Sequence, residues 1–410
     1  MKFGLLGKVL GHSYSPQIHA ELGDYKYELF EREIDKIGEL IKNPEIKGFN
    51  VTIPYKEEVM KYCDIISDRA KEIGCVNTVF KKDSGEVLGD NTDYYGFEYI
   101  LDSRAIEVKN KKVIILGDGA TSKTAFAVLK NKGGEAVKLS RKTSPLLSDI
   151  KDYKDANIIV NTTPVGMYPN NLETIVDLDI FNNLEAVVDV IYNPSRTKLL
   201  LDAMNAGLKY SDGLPMLVGQ AIAASEIFQD KKIDDTITEN IINKIRSETM
   251  NIVLIGMPGS GKSTIGSKLA LETSKTLIDT DLEIENKEGM SIPHIFDKYG
   301  ENYFRELESK VLIEFGKENG LVIATGGGIV TREQNYEPLK QNGRIYFLKR
   351  DLEKLERSGR PLSAGLNAVE ELWSKREKLY NNFADVTIEN NSIYETTEKI
   401  LEDYNENSSY

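Results

Sequence analysis

Two stretches decide the fold: Lys112-Val-Ile-Ile-Leu-Gly-Asp-Gly-Ala-Thr-Ser-Lys123 and Asn251-Ile-Val-Leu-Ile-Gly-Met-Pro-Gly-Ser-Gly-Lys-Ser-Thr264. Each runs a continuous apolar, β-branched segment into a glycine-rich turn and then into residues suited to a helix. Strands buried on both faces of a parallel sheet require such unbroken apolar runs. Two starts of this kind predict two separate nucleotide-binding sheets. Between them Ile233, Ile237, Ile241 and Ile245 recur every four residues and predict an amphipathic helix that closes the first unit. Met250 stands directly before the second strand, which places the boundary near residue 248. Upstream of Lys112, apolar stretches at 1–6, 48–53 and 74–80 predict a further α/β domain.

The rest of the composition agrees with a folded multidomain chain. At 410 residues the chain is too long for one ordinary core. Hydrophobic residues make up 40% and charged residues 29%, which excludes a disordered chain. No apolar run reaches the roughly 18–20 residues of a membrane span, and Gly4, Gly7, Lys8 and Gly11 break up any signal-peptide block. Cys63 and Cys75 are too few for a disulfide framework, so a reducing cytoplasm is expected. With 52 Lys plus Arg against 65 Asp plus Glu, the net charge of −13 disfavours nucleic acid or an anionic membrane as partner. Small phosphate ligands remain open, since they need only local basic groups and backbone N–H.

Gly256-Met-Pro-Gly259-Ser260-Gly261-Lys262-Ser263 fits the phosphate-loop pattern G-x-x-x-x-G-K-[ST]. Its glycines let successive N–H groups curve around a phosphate; Lys262 reaches the β and γ phosphates, and the Ser263 hydroxyl suits Mg²⁺. Leu277-Ile-Asp279-Thr-Asp281 ends an apolar strand with two acids expected on one face. Arg305 and Glu308 lie three apart in a helical stretch, a spacing that by itself marks a surface ion pair. Gly326-Gly327-Gly328 after a buried strand implies that a ligand approaches the backbone.

This set, with Arg360-Pro361-Leu362 and Arg376-x-x-x-Tyr380, resembles the shikimate kinases in order and type across residues 250–390. The resemblance implies that Asp281, Arg305, Gly327 and Arg376 hold shikimate, the two Arg clasping its carboxylate. It implies that Asp279 positions Mg²⁺ or the reacting hydroxyl, that Gly259, Ser260, Gly261, Lys262, Ser263 and Thr264 hold ATP, and that Arg360 covers ATP from a mobile lid. Phosphoryl transfer asks for positioning and positive charge, which these residues supply. In one departure, Arg357-Ser-Gly-Arg360 leaves only two residues between the lid arginines.

In the first half, Gly117-Asp118-Gly119-Ala120-Thr121-Ser122 is by itself a weak dinucleotide signature. A second strand then ends in Ser140-Arg141-Lys142, where NAD-binding folds place an acid; a basic pair there suits the 2′-phosphate of NADP(H). Upstream lie four polar clusters, at 12–16, 49–56, 77–78 and 89–93. They offer hydroxyl and amide donors for a polyhydroxylated acid, with a Lys and an Asp able to exchange a proton. Beside NADP(H), that chemistry is carbonyl reduction.

These clusters, with Asn161-Thr-Thr-Pro164, Tyr192-Asn-Pro194 and Asp212-Gly213-Leu-Pro-Met216-Leu-Val-Gly-Gln220, resemble the shikimate dehydrogenases over residues 3–245. The resemblance implies that Ser13, Ser15 and Thr52 bind the carboxylate end of the substrate. Asn77, Tyr192 and Gln220 complete the pocket, and Lys56 with Asp93 forms the catalytic pair, Lys56 favoured as the acid in reduction. Gly117, Asp118, Gly119, Ala120, Thr121, Ser140, Arg141 and Gly213 are expected to touch the cofactor. Val9, Ala20, Ala120 and Pro215 depart from the family pattern, and Pro215 is expected to stiffen the stretch between cofactor and substrate contacts.

The expected architecture is therefore α/β in three parts. Residues 1–94 form the substrate domain, on which the helix 230–247 packs back; 95–229 form a Rossmann-type NADP domain; 248–410 form a P-loop kinase domain with a parallel sheet. The expected function is two consecutive steps, reduction of 3-dehydroshikimate and phosphorylation of shikimate at its 3-hydroxyl, with NADPH, ATP and Mg²⁺. A quinate/shikimate dehydrogenase preferring NAD, fused to the same kinase, is the nearer alternative, opposed by Arg141; a scaffold with one inactive half is the other, opposed by the full set of chemical groups. Cys63 and Cys75 are expected as structural thiols, His19 as backing for the Ser13–Ser15 loop, His294 and Trp373 as surface or packing residues, and 395–410 as a fraying helix.

Overall fold

Three sheets organise the chain in the computed structural model, which describes residues 2–11, 13–355 and 366–407. The first comprises β1 (Lys2–Gly7), β2 (Lys26–Glu31), β3 (Gly48–Val51), β4 (Ile65–Ile66), β5 (Thr78–Lys81) and β6 (Val87–Asp90), in the order β2-β1-β3-β5-β6-β4. It is mixed: β1 runs parallel to β2 and β3, while β5 is antiparallel to β3 and β6. The second contains β7 (Lys112–Leu116), β8 (Glu135–Leu139), β9 (Ile158–Asn161), β10 (Ala186–Asp189) and β11 (Lys209–Ser211), all parallel, in the order β11-β10-β9-β7-β8. The third contains β12 (Asn251–Ile255), β13 (Thr276–Asp279), β14 (Leu321–Ala324), β15 (Gly343–Lys349) and β16 (Val386–Glu389), also parallel, in the order β13-β14-β12-β15-β16. Both opening stretches thus become central strands, β7 and β12, whose apolar residues are buried.

The chain divides into two compact units. One gathers Met1–Val165, Thr174–Tyr192 and Asp202–Ile242; the other gathers Gly166–Glu173, Asn193–Leu201 and Asn243–Tyr410. The helix Asp235–Thr249 runs through the expected join at 248. Its last carbonyls are held inside the second unit: Lys275 Nζ donates to Ser247 O at 2.9 Å and to Glu248 O at 2.7 Å, and the Tyr404 hydroxyl donates to Met250 O at 2.9 Å. Tyr404 belongs to the terminal helix Ile393–Glu406, where Ile400 and Tyr404 are buried, so over the described residues that helix is docked rather than frayed.

Within the first unit the two sheets are joined by a helix pair, Asp93–Ser103 and Leu214–Gln229. They cross at Gly96 and Gly219; a Cβ on Gly96 would lie 2.3 Å from Met216 O, so no side chain fits at the crossing. The far end of Leu214–Gln229 packs Ala224 and Phe228 against Phe3 of the first sheet. Packing against the substrate domain therefore begins upstream of residue 230. Pro215 occupies the first turn of that helix, where its missing N–H has no partner to lose, so its effect is to start the helix rather than to stiffen a loop.

Candidate active sites

A cavity of about 210 Å³ opens within the first unit, lined by Ser13, Ser15, Thr52, Lys56, Asn77 and Asp93 from the first sheet's side. Thr121, Tyr192, Gly213 and Gln220 close it from the other. Asp93 and Gln220 reach it because the glycine crossing brings their two helices together. Lys56 Nζ donates to Asp93 Oδ2 at 2.5 Å, and both side chains are about nine-tenths buried, at 12% and 10% exposed. A lysine held this way has its position set by one carboxylate and points its remaining N–H bonds at the cavity.

The polar lining is oriented from behind. Asn77 Oδ1 accepts from Thr92 N at 2.6 Å and from the Thr78 hydroxyl at 3.1 Å, which turns its amide N–H₂ toward the cavity. Ser15 begins the helix Ser15–Leu22, and Ser15 N donates to the Ser13 hydroxyl at 3.2 Å. Two hydroxyls at a helix N-terminus suit a carboxylate, through free N–H groups and the helix dipole. His19 is buried, pushed down to about 3 by burial and hence neutral; Nδ1 pairs with the Tyr25 hydroxyl at 2.7 Å and the ring stacks on Tyr27 at 3.8 Å.

Asn50 also lines the cavity, although the sequence reading assigned it no role. Tyr27 donates to Asn50 Oδ1 at 2.7 Å, and Asn50 Nδ2 donates to the Thr78 hydroxyl at 3.0 Å. The signal was available: Asn50 stands two residues before Thr52, and alternate residues of an extended chain share a face. Cys63 and Cys75 both have thiols pushed up by burial, Cys63 to about 11, and neither is activated.

Along the second sheet, Gly117 directly follows β7 with φ of 118°, and a Cβ there would meet the Thr162 hydroxyl at 2.6 Å. Gly119 caps the helix Ala120–Asn131, and a Cβ there would meet nothing within 4 Å. The tight turn and the open helix N-terminus fit a dinucleotide pyrophosphate. A Cβ on Gly213 would overlap Val190 O, at 2.0 Å, so that position lets strand and helix close over the turn. Ser140 is buried, and its hydroxyl accepts from Lys142 N at 3.1 Å and from Thr143 N at 2.8 Å. That hydroxyl shapes the turn, beside which Arg141 and Lys142 are both exposed; Asp118 is exposed and accepts from the Thr143 hydroxyl at 3.5 Å.

In the second unit, Gly256, Gly259 and Gly261 all take positive φ, of 150°, 82° and 93°, and wrap the loop ahead of the helix Lys262–Thr273. Lys262 Nζ donates to Gly256 O at 2.9 Å and Met257 O at 3.0 Å, and the buried Ser260 hydroxyl has no hydrogen-bond partner among the described residues. Thr264 follows on the exposed side of the first turn. The Ser263 hydroxyl donates to Asp279 Oδ2 at 2.5 Å, a pair of hard oxygen donors that fits Mg²⁺ retaining most of its waters.

Asp279 and Asp281 do not share a strand face. Asp279 ends β13 and caps the helix Thr280–Glu288, accepting from Asp281 N at 3.1 Å, while Asp281 lies in its first turn. The change of backbone turns Asp281 toward Gly326, where its buried Oδ1 has no partner among the described residues. Burial, then Asp279, raises Asp281 to about 6; burial raises Glu308 to about 7 against the pull of Arg305. Arg305 and Glu308 form a buried pair at 2.5 Å rather than a surface one.

The glycine triplet is filled from inside the protein. A Cβ on Gly326 would lie 2.3 Å from Glu308 Oε1, one on Gly327 2.6 Å from Pro258, and one on Gly328 1.9 Å from Arg305 Nη1. Arg376 Nη1 and the Tyr380 hydroxyl both donate to Gly327 O, at 3.0 and 2.5 Å. Asp281, Arg305, Gly327 and Arg376 thus converge at one place. Arg360 lies outside the described residues.

The region 5–79 matches the family model described as shikimate dehydrogenase substrate binding domain, and 258–405 matches the one described as shikimate kinase. The shikimate dehydrogenase (NADP(+)) of Clostridium beijerinckii is 42% identical over 267 residues, covering 60% of this chain and 98% of that protein. The crystal structure of shikimate dehydrogenase 1 from Peptoclostridium difficile is similar at 41% identity and a TM-score of 0.54, over 60% of this chain and 97% of that one. A chorismate mutase/shikimate 5-dehydrogenase fusion protein from Clostridium acetobutylicum is similar at 36% identity and a TM-score of 0.57, over 60% and 96%. With the cavity, the paired lysine and aspartate and the phosphate loop in place, these likenesses settle kinship: the chain belongs to the shikimate dehydrogenase family and carries a shikimate kinase domain at its C-terminal end.

Proposed function

We propose that the chain performs two consecutive reactions, reducing 3-dehydroshikimate to shikimate with NADPH and phosphorylating the new 3-hydroxyl with ATP and Mg²⁺. The observation that carries this reading is the pairing of Lys56–Asp93 in one cavity with a phosphate loop whose neighbours also suit a small hydroxylated acid. The product of the first reaction is the substrate of the second.

In the reduction, Ser13, Ser15 and Thr52 anchor the carboxylate end, and Asn77, with its amide fixed by Thr92, holds a ring hydroxyl. Bound NADPH supplies the hydride. Lys56 delivers the proton to the carbonyl oxygen, and Asp93 sets the direction of its N–H bonds. Arg141, exposed beside the turn that Ser140 organises, takes the 2′-phosphate.

In the phosphorylation, Arg305 and Arg376 clasp the carboxylate. Asp281, whose unpartnered Oδ1 faces the glycine triplet, accepts the proton of the substrate hydroxyl; a carboxylate at about 6 is mostly ionised at neutral pH yet basic enough for this task. MgATP supplies the phosphoryl group, and Lys262 with Ser263 and Asp279 sets its position. We place the enzyme in the cytoplasm, in keeping with two free thiols, Cys75 buried and Cys63 half-buried.

The test mixes the purified chain with NADPH, ATP, Mg²⁺ and 3-dehydroshikimate. NADPH oxidation and shikimate 3-phosphate are expected together. Absence of oxidation would remove the first assignment, and unphosphorylated shikimate accumulating would remove the second.

A further inference from the structure

Arg350 follows the last residue of β15 and stands beside the phosphate loop. A Cβ on Gly261 would lie 3.7 Å from Arg350 Nη1 and 2.9 Å from Asn390 Nδ2. Asn390 is a fixed post there: its Nδ2 donates to Ser260 O at 2.6 Å, and its Oδ1 accepts from the Thr396 hydroxyl at 3.0 Å. Among the described residues, buried Arg350 Nε has no hydrogen-bond partner and the side chain makes no ion pair. The neighbouring acids are committed elsewhere. Asp351 accepts from Glu353 N at 3.1 Å and pairs with Lys354 at 3.7 Å, while Glu389 pairs with Lys349 at 3.6 Å.

A half-buried guanidinium with an unsatisfied nitrogen is costly, and proteins ordinarily place an anion against it. The described residues supply none here, and the group rests on the phosphate loop. We propose that Arg350 is an additional phosphate-binding residue of the kinase, its guanidinium taking a non-bridging oxygen of the nucleotide from the β15 side of the loop. A planar fork of donors suits that contact better than a point charge. Arg350 directly follows β15, an inner strand of its sheet, so the fold itself holds its charge beside the loop. The proposal rests on the reading of this unit as an ATP-dependent kinase.

Calorimetric titration of the full chain with ADP, and separately with inorganic tripolyphosphate, tests it. Arg350→Ala should weaken both by about tenfold, the scale of one charge-assisted hydrogen bond. It should raise the KM for ATP in step, with the KM for shikimate unchanged. Arg350→Lys should fall between the two, and an unchanged NADPH-dependent rate with an unchanged Trp373 unfolding transition certifies the fold. Tripolyphosphate affinity within twofold of the parent overturns the proposal; if ADP alone weakens, the contact is with the nucleoside and the phosphate assignment is wrong. Lys262→Ala in parallel separates the two readings, because ADP binding that survives it would sink the phosphate-loop reading itself.

Discussion

Asp281 and Glu308 set two carboxyl groups around one glycine α-carbon, with a buried oxygen of each unpartnered. Both are raised, to about 6 and about 7, chiefly because burial penalises the charged form. A carboxyl raised in the folded state favours folding most below its unfolded value near 4, and that contribution is lost as pH rises through the folded value. The second unit should therefore lose stability as pH rises from about 4 to about 7, on the order of 1–3 kcal/mol for the coupled pair. Trp373, the single tryptophan of the chain, belongs to this unit and reports on it. The transition temperature followed by its fluorescence should fall across that range, and Asp281→Asn should flatten the slope. Equal slopes for parent and variant would remove the shared-burial account. The residue types at 281, 305 and 308 were legible in the sequence; their burial was not, because a three-residue helical spacing is the same on a wet face as on a dry one.

At the scale of elements, the crossing of Asp93–Ser103 with Leu214–Gln229 assembles the dehydrogenase cavity. Gly96 and Gly219 let the helices approach until Asp93 and Gln220 share one space. A methyl group on Gly96 would have to push Met216 O away from 2.3 Å, and that oxygen is backbone. Gly96→Ala should thus separate the helices, raise the KM for 3-dehydroshikimate and lower kcat by tenfold or more, since small misplacements of reacting groups are expensive. Overpacking of this kind costs about 1–3 kcal/mol. The kinase rate of the same variant serves as the internal control, and a dehydrogenase rate within twofold of the parent would show that the crossing tolerates the methyl. The sequence displayed both glycines and both polar residues, yet nothing in the chain order pairs residue 96 with residue 219.

For the molecule as a whole, two lysines are proposed to carry two separate chemistries. Lys56→Ala should abolish NADPH oxidation and leave phosphorylation of supplied shikimate intact; Lys262→Ala should do the reverse. Assaying each variant for both reactions checks this, and loss of both activities in either variant would show that the units do not act independently.

The sequence alone determined the strand–turn–helix starts at 112 and 251, the phosphate loop, the basic pair at 141–142 and the polar clusters, because each is a local pattern fixed by backbone geometry or by chemistry at short spacing. The tertiary structure alone decided which groups meet. Asn50 joins the substrate cavity through Tyr27; Asp281 leaves the strand for a helix turn; the glycine triplet is filled by Glu308, Pro258 and Arg305; the helix Asp235–Thr249 runs through the point where the join was expected. These depend on contacts between residues distant in the chain, and burial and close approach are set by what packs on the other side.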